Sequence, residues 1–315
     1  MRLKIAIQMD PIEGVNVDAD TTFDLALEAH GRGHELWIYQ PQALALRDGR
    51  VWTRARKVET LKRAQGEHVR LAAPETLDLH GVDVALIRQD PPFDMAYITA
   101  AQILERLQPD VLVLNDPRAI RDAPEKLFVT EFPDLTPPTL ITRDVVAIRE
   151  FRAEHGDVIL KPLYGNGGAG VFRVAPEDGN FNALIELFEQ AFAEPFIVQK
   201  YLPEVRGGDK RIILLDGEAV GAINRVPAAG ETRSNLHAGG RAEPVEMTAR
   251  DQEICDRIGP ELSRRGLTLA GVDVIGEWLT EINVTSPTGV QEIRRFGGAD
   301  ISALFWDWVE GRREG

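Results

Sequence analysis

The sequence predicts an amino-terminal α/β domain followed by an α+β region built of two smaller segments. Three observations carry that expectation. Short apolar runs alternate with amphipathic stretches through the first third, a glycine-rich loop near residue 165 lies between two β-like runs, and a later strand pair carries a carboxylate on each strand.

The elements follow in order. Apolar runs at 3–9, 35–39, 82–88 and 111–115 read as strands, and the amphipathic stretches at 22–30 and 95–107 as crossover helices of one sheet. The first strand runs into Asp10-Pro11-Ile12-Glu13-Gly14 with no Gly-x-Gly-x-x-Gly turn, which argues against dinucleotide binding at that place. A break near Asp116-Pro117 and a Pro-rich connector at 133–138 divide the chain, giving a first domain over 1–121 and two segments over 122–200 and 201–315. Asp122-Ala123-Pro124-Glu125-Lys126 reads as a helix start, with Asp122 as cap and Glu125 completing a capping box. Lys126 then stands where the helix dipole disfavours a cation; a bound anion would explain it, and a solvated surface lysine is the plain alternative. Residues 181–192 predict a helix. So do residues 248–265, where Thr248 caps and Ile254, Ile258 and Leu262 recur at helical spacing around Cys255. Residues 227–244, rich in Gly, Ala and charge without apolar period, predict a long mobile loop.

Composition excludes several function classes. With a formal charge of −14 and a pI near 5.0, the chain lacks the clustered Lys and Arg that phosphate backbones and acidic membranes require, so neither nucleic acid nor membrane is expected as a partner. Residues 1–7 read as a short strand rather than a signal segment, and no run reaches the ~18 apolar residues of a membrane span. The single cysteine, Cys255, cannot form an internal disulfide and leaves no Cys pair for metal or redox work, which fits a reducing, cytoplasmic setting.

Three stretches carry chemistry. The run Asp157 to Pro162 leads into Gly165-Asn166-Gly167-Gly168-Ala169-Gly170 and leaves through Val171-Phe172-Arg173-Val174. β-branched and aromatic residues follow the glycines where a dinucleotide fold needs a helix, so the loop reads as a hairpin tip. Such a tip brings backbone N–H groups against phosphate oxygens without Cβ interference, and Lys161 at the end of the entering strand can reach the same phosphates; an ordinary turn is the bland alternative. In the stretch from Gly271 to Val284, alternation leaves Asp273 on one strand and Glu281 and Asn283 on the next. An odd-length turn at Gly276 to Trp278 would set Asp273 opposite Glu281 and an even one would separate them. An opposed pair costs stability unless something such as Mg²⁺ neutralises it, and the polar face of a half-exposed hairpin is the plain alternative. The strand at 196–202, with Gln199, Lys200, Tyr201 and Leu202 at its polar end, offers an edge for adenine, with a plain buried strand as the alternative. Arg211 and Arg225 lie in strands flanking the Asp216-Gly217 turn, suited to phosphate or carboxylate or to a surface ion pair.

Taken together, these residues resemble the bacterial glutathione synthetase family of the ATP-grasp superfamily. The likeness runs from Ile5 to about Trp308 and rests on ordered motifs: Met9-Asp10-Pro11-Ile12, Arg88-Gln89-Asp90-Pro91-Pro92, Glu125-Lys126-Leu127-Phe128, Leu160-Lys161-Pro162-Leu163, Gly208-Asp209-Lys210-Arg211, Gly230-Glu231-Thr232-Arg233, Ala238-Gly239-Gly240-Arg241 and Glu281-Ile282-Asn283-Val284-Thr285-Ser286-Pro287-Thr288. What the resemblance implies is a pre-ATP-grasp substrate domain, a small ATP-grasp subdomain over 122–200, and a large one over 201–315 with a lid near 226–241. It implies ATP as co-substrate with Mg²⁺, or Mn²⁺ in its place, and γ-glutamylcysteine and glycine as substrates. Lys126, Lys161 and the loop glycines Gly165, Gly167 and Gly168 would meet phosphates. Gln199 to Leu202 would hold adenine and Asp209 the ribose. Asp273, Glu281 and Asn283 would bind metal, Arg211, Arg225 and Arg233 would act on the reacting groups, and Arg88, Asn283 and Ser286 would face the dipeptide. Members of this family are commonly homotetramers. The chain departs from the family pattern at Tyr164, Asn166 and Gly289.

The expected reaction is ATP-dependent ligation through an acyl phosphate, yielding glutathione, ADP and phosphate. The nearest alternative is an ATP-grasp ligase for a different acid or amine, since the grasp motifs specify ATP and not the acceptor. A nucleotide-binding module without turnover is the rival from another class.

Overall fold

The computed structural model describes residues 1–231, 233–235 and 239–314. Thr232, Leu236, His237, Ala238 and Gly315 lie outside the described residues, and with them parts of two quoted motifs and of the predicted lid.

Eight strands make the first sheet: β1 (Lys4–Gln8), β2 (Glu35–Tyr39), β3 (Leu44–Arg47), β4 (Arg50–Leu61), β5 (Val69–Leu71), β6 (Glu75–Asp78), β7 (Val84–Ile87) and β8 (Leu112–Leu114). Their order is β3-β4-β2-β1-β7-β8, with β5 and β6 also paired to β4. The parallel centre matches the predicted strands. Helices α1 (Thr21–Gly31) and α2 (Met95–Leu104) make its crossovers. Ile5 and Ile7 pack with Phe23 and Trp306 on one face, while Ala6 and Ile87 pack with Tyr97 and Leu104 on the other. Burial on both faces is what makes these strands read as continuous apolar runs. The antiparallel extension β3 to β6 went unread in the sequence. Burial there alternates with exposure along β4, so no apolar run announces it.

The start of the second region differs from expectation. Asp116, not Asp122, caps a helix: its Oδ1 accepts from the Ala119 N–H at 2.8 Å, Pro117 opens α3 (Pro117–Asp122), and Asp122 ends it. Asp-Pro combines a cap with a residue fixed at helical φ, so it outcompetes the later Asp. The short α4 (Glu125–Phe128) follows Pro124 with no side-chain cap, and Glu125 forms no capping box.

A second, antiparallel sheet holds β9 (Thr139–Thr142), β10 (Val158–Pro162), β11 (Phe172–Val174) and β12 (Phe196–Lys200) in the order β11-β10-β12-β9. Helices α5 (Val145–His155) and α6 (Phe181–Ala191) cover it through Ile148, Ile185 and Phe188. The third sheet has β13 (Asp209–Leu215), β14 (Glu218–Val226), β15 (Arg241–Pro244), β16 (Leu269–Ile275) and β17 (Trp278–Asn283), ordered β15-β14-β13-β16-β17. Residues 241–244 of the predicted loop thus form an edge strand, since backbone pairing with β14 needs no apolar period.

Behind this sheet lies α7 (Ala249–Arg265), whose Thr248 and Asp251 form a capping box and whose Cys255 is buried. The chain ends with α8 (Val290–Arg295) and α9 (Ile301–Glu314). The last helix returns to the first domain, where Trp306 Nε1 donates to the Leu25 carbonyl at 2.7 Å and Ser302 to Asp24 Oδ2 at 2.6 Å. Among the described residues no helix is long and apolar enough to cross a membrane.

One contact requires glycine twice. The β13–β14 turn, Asp216-Gly217, has φ of 48° and 87°, and a Cβ placed on Gly259 of α7 would lie 2.2 Å from the Gly217 carbonyl oxygen. Helix propensity favours alanine over a mid-helix glycine by about 1 kcal/mol. Overpacking against backbone costs about 1–3 kcal/mol. The clash should win: Gly259→Ala is expected to lower stability in urea melts, and an unchanged or raised midpoint would contradict this packing.

Candidate active site

A cavity of about 1070 Å³ opens between the second and third sheets and is closed on its third side by the first domain. Small-molecule sites commonly span about 300–1,000 Å³. This one therefore has room for more than one substrate.

The floor is the acidic strand pair. Asp273 on β16 does face Glu281 on β17, but not through an odd-length turn. Gly276-Glu277 is a two-residue turn, Ile275 pairs Trp278 and Val274 pairs Leu279; a bulge at Thr280 then restores the Asp273–Glu281 match. Thr280 Oγ1 fixes the bulge by donating to the Asp273 carbonyl at 3.1 Å.

Neither carboxylate lacks a counter-charge. Arg211 grips both Asp273 oxygens, with Nη2 3.0 Å from Oδ2, and Arg225 Nη2 adds a contact at 2.9 Å. These arginines are buried, which excludes the surface ion pair. Burial would raise the Asp273 pKa, but Arg211 and Arg225 outweigh it and bring it down to about 2. Arg225 also holds Asp209 at 2.6 Å, and Ser234 Oγ donates to the same oxygen at 2.8 Å. Asp209 is nonetheless pushed up to about 6, by burial first and against the pull of Arg225, with Asp273 adding to the rise.

Glu281 serves two lysines through one oxygen, Lys126 Nζ at 3.6 Å and Lys161 Nζ at 3.7 Å. Lys126 is buried rather than solvated, and also donates to the Gly165 carbonyl. Burial would lower its pKa, yet Glu281 and Glu125 raise it. For Lys161 burial prevails over Glu281, and the pKa is lowered. Lys161 donates to Gln199 Oε1 at 3.3 Å, and Gln199 Nε2 to Thr139 at 2.9 Å. At 3.6–3.7 Å the lysine–carboxylate contacts are beyond hydrogen-bond length, so both ammoniums retain donors for a ligand.

The glycine loop is the predicted hairpin tip, with Leu160 paired to Phe172 below it. A Cβ on Gly165 would meet Pro162 Cγ at 2.5 Å, and one on Gly168, at φ 80°, would meet Asn235 Oδ1 at 2.7 Å. Gly167 has φ 60°. Arg233 packs its Cδ near Gly168 while its guanidinium pairs with Glu231 at 2.7 Å. Lys200, the last residue of β12, and Tyr201 and Leu202 just after it line the cavity. That strand is no sheet edge, because β10 and β9 flank it on both sides. On the first-domain side Arg88 is buried and bonds Thr22 Oγ1 at 3.1 Å, while Ser286 Oγ donates to the Gln89 carbonyl at 2.9 Å. Burial lowers the Arg88 pKa, with Asp20 and Asp90 opposing.

The structure thus gathers the residues given candidate catalytic, nucleotide, metal or substrate roles around one cavity, while Tyr164, Gly289 and Cys255 do not line it. It adds Glu125, Thr21 and Glu292, which sequence reasoning missed. Glu125 looked like a capping residue, and nothing local marks the other two, whose burial arises from tertiary packing. Asp273, Glu281 and Asn283 point oxygen-bearing groups from adjacent strands at the same cavity, and Asn283 spends an amide N–H on Asp273 at 3.4 Å, leaving its oxygen for a cation. Two carboxylates and an amide oxygen suit a hard divalent cation that completes its shell with phosphate and water.

Three layered sheets with a cleft between the last two define the ATP-grasp class. Solved structures share this fold: the ATP-grasp ligase PsnB complexed with minimal precursor superposes with a TM-score of 0.66 at 20% identity over 100% of both chains. D-cycloserine synthetase DcsG gives 0.68 at 13% identity, covering 98% of this chain and 99% of that one. Residues 3–121 match the family model for the prokaryotic glutathione synthetase N-terminal domain, and residues 125–298 that for the ATP-grasp domain of the same enzymes. The chain belongs to the prokaryotic glutathione synthetase family. It is 58% identical to the glutathione synthetase of Agrobacterium fabrum, across 98% of this chain and 97% of the relative. With that of Brucella melitensis it shares 59%, across 99% and 100%.

Two outcomes follow from the charges. Folded Asp209 keeps its proton to about pH 6, whereas the unfolded carboxyl loses it near its ordinary 3.8. Between those values the native state binds more protons, so rising pH costs stability. Urea melts from pH 4 to 7 should show wild type losing stability relative to Asp209→Asn through that window; a constant difference would refute the shift. Glu281→Gln should leave two buried ammoniums poorly compensated and destabilise the ligand-free protein by on the order of 1–3 kcal/mol. This reverses the sequence expectation that the opposed carboxylates cost stability when no cation neutralises them, because the two lysines already do so. A raised melting temperature would restore that expectation.

Proposed function

We propose that this chain joins γ-glutamylcysteine to glycine with ATP, forming glutathione, ADP and phosphate. The observation that carries the reading is the end-to-end likeness to glutathione synthetases at 58% and 59% identity, in a chain whose cavity holds the groups such a ligation needs.

A carboxylate resists attack by an amine because its leaving group would be oxide. Transfer of the γ-phosphoryl group to the cysteinyl carboxylate makes phosphate the leaving group, and glycine's amine then displaces it through a tetrahedral intermediate. In this reading Lys126, Lys161 and the N–H groups around Gly165, Gly167 and Gly168 hold phosphates. Gln199 to Leu202 hold adenine, and Asp209 meets the ribose. Arg211, Arg225 and Arg233 neutralise charge on the reacting groups, exchanging their present carboxylate partners for substrate oxygens. Arg88, Asn283 and Ser286 orient the dipeptide. Asp273, Glu281 and Asn283 would hold Mg²⁺, or Mn²⁺, which supplies neutralisation of phosphate charge. The work is positioning and electrostatics, with no covalent enzyme nucleophile.

The same reading takes 1–121, 122–200 and 201–315 as the functional domains, with residues near 226–241 as a lid, a cytoplasmic location and a homotetramer. Supporting the lid, Asn235 and Arg233 already lie against Gly168.

A panel of acids and amines with ADP release as readout tests the reaction. γ-Glutamylcysteine with glycine should give the highest kcat/KM, and faster turnover of another pair would overturn the assignment. Lys161→Ala should weaken ATP binding about tenfold or more without unfolding the protein. Unchanged ATP affinity beside a normal melting curve would remove Lys161 from the phosphate site.

A further inference from the structure

Four buried polar atoms on residues that line the cavity have no hydrogen-bond partner among the described residues: Asp209 Oδ1, Arg225 Nε, Thr21 Oγ1 and Glu292 Oε2. The first two belong to the arginine–aspartate network. The other two come from the wall built by α1 and α8. Gln291 fastens these helices together, its Nε2 donating to the carbonyls of Val17 at 3.2 Å and Asp20 at 2.7 Å. Glu292 is 3% exposed and Thr21 1%. One Glu292 oxygen takes Arg295 Nη2 at 2.7 Å, and the other takes nothing. Arg88 lines the same cavity, and its hydrogen bonds go to neutral oxygens only: Thr22 Oγ1 at 3.1 Å and the carbonyls of Thr285 at 3.4 Å and Pro287 at 3.3 Å.

A buried carboxylate oxygen without a donor is costly unless the ligand brings a cation to it. Resting on the function above, we propose that Glu292, with the Thr21 hydroxyl, receives the α-ammonium of the γ-glutamyl group while Arg88 takes the carboxylate on the same carbon. Glu292 is then the residue that selects an α-amino acid end in the acid substrate. The other candidates for its cation fit poorly. ATP carries none. The metal-suited oxygens are those of Asp273, Glu281 and Asn283. Glycine's amine must reach the acyl carbon as a free base, and a carboxylate clamping it as ammonium would disable it as a nucleophile. The glutamyl ammonium takes no part in the chemistry, so holding it charged costs the reaction nothing.

The test compares γ-glutamylcysteine with glutarylcysteine, the same chain lacking only the amino group. Wild type should prefer the former by about 30-fold or more in kcat/KM, as a site built to bond a polar group rejects the analogue without it. Glu292→Gln should erase most of that ratio by losing activity on γ-glutamylcysteine and not on glutarylcysteine, with KM for ATP and glycine unmoved. Thr21→Val should shrink the ratio by about threefold. Equal use of both acids by wild type would overturn the proposal with no variant needed. So would a Glu292→Gln enzyme that loses both acids in parallel, the mark of a structural role. Should that variant fail to fold, the wild-type ratio and Thr21→Val decide. No turnover of γ-glutamylcysteine by wild type would overturn the functional reading itself, and this proposal with it.

Discussion

Everything in the cleft depends on a chain of buried charges that crosses three neighbouring strands. Asp209 and Arg211 stand on β13, Arg225 on β14 and Asp273 on β16, each reaching a partner on the adjacent strand. Charges taken out of water are expensive, and their pairing repays the cost only when the geometry is good. Here the geometry follows from register: Asp209 pairs Arg225, and Arg211 pairs Asp273, as direct cross-strand neighbours. A one-residue slip would turn every one of these groups to the opposite face.

A second tier of charge rests on this one. Glu281 is brought to Asp273 by the bulge and meets two lysines from the other subdomain and its entry helix, so the cleft is laced by ion pairs from both walls. The anchors are looser here than in the arginine network, at 3.6–3.7 Å instead of 2.9–3.0 Å. The gradient leaves the lysine tier the more loosely held of the two, with donors free for a ligand before any ion pair is broken. Behind both, α9 fastens the last segment to the first domain through Asp24, which also takes Arg294 at 2.6 Å.

Much of this was legible in the sequence, for identifiable reasons. The parallel core strands were visible because both faces are buried, and the glycine hairpin because its exit is β-branched and aromatic. The meeting of Asp273 with Glu281 was legible as an outcome while its means was not: a bulge leaves no mark in an alternation pattern when Thr280 is a neutral choice on either face. Asp122 misled because local capping rules rank candidates without knowing that Asp116-Pro117 stands upstream in a better setting. The strands β3 to β6 and β15 were hidden because half-exposed edges carry no continuous apolar signal. The counter-charges on Asp273 and Glu281 come from residues 48 or more positions away along the chain, a distance no window along the chain spans.

Cys255 carries a final consequence. Packed inside α7 with its thiol pushed up to about 12 by burial, it presents almost no thiolate at neutral pH and no path to one. Thiol–disulfide exchange begins with a thiolate reaching an accessible sulfur. A chain that works on sulfhydryl compounds therefore offers them no sulfur of its own with which to form a mixed disulfide. When the surrounding thiol pool turns oxidised, the polypeptide has nothing for it to cap.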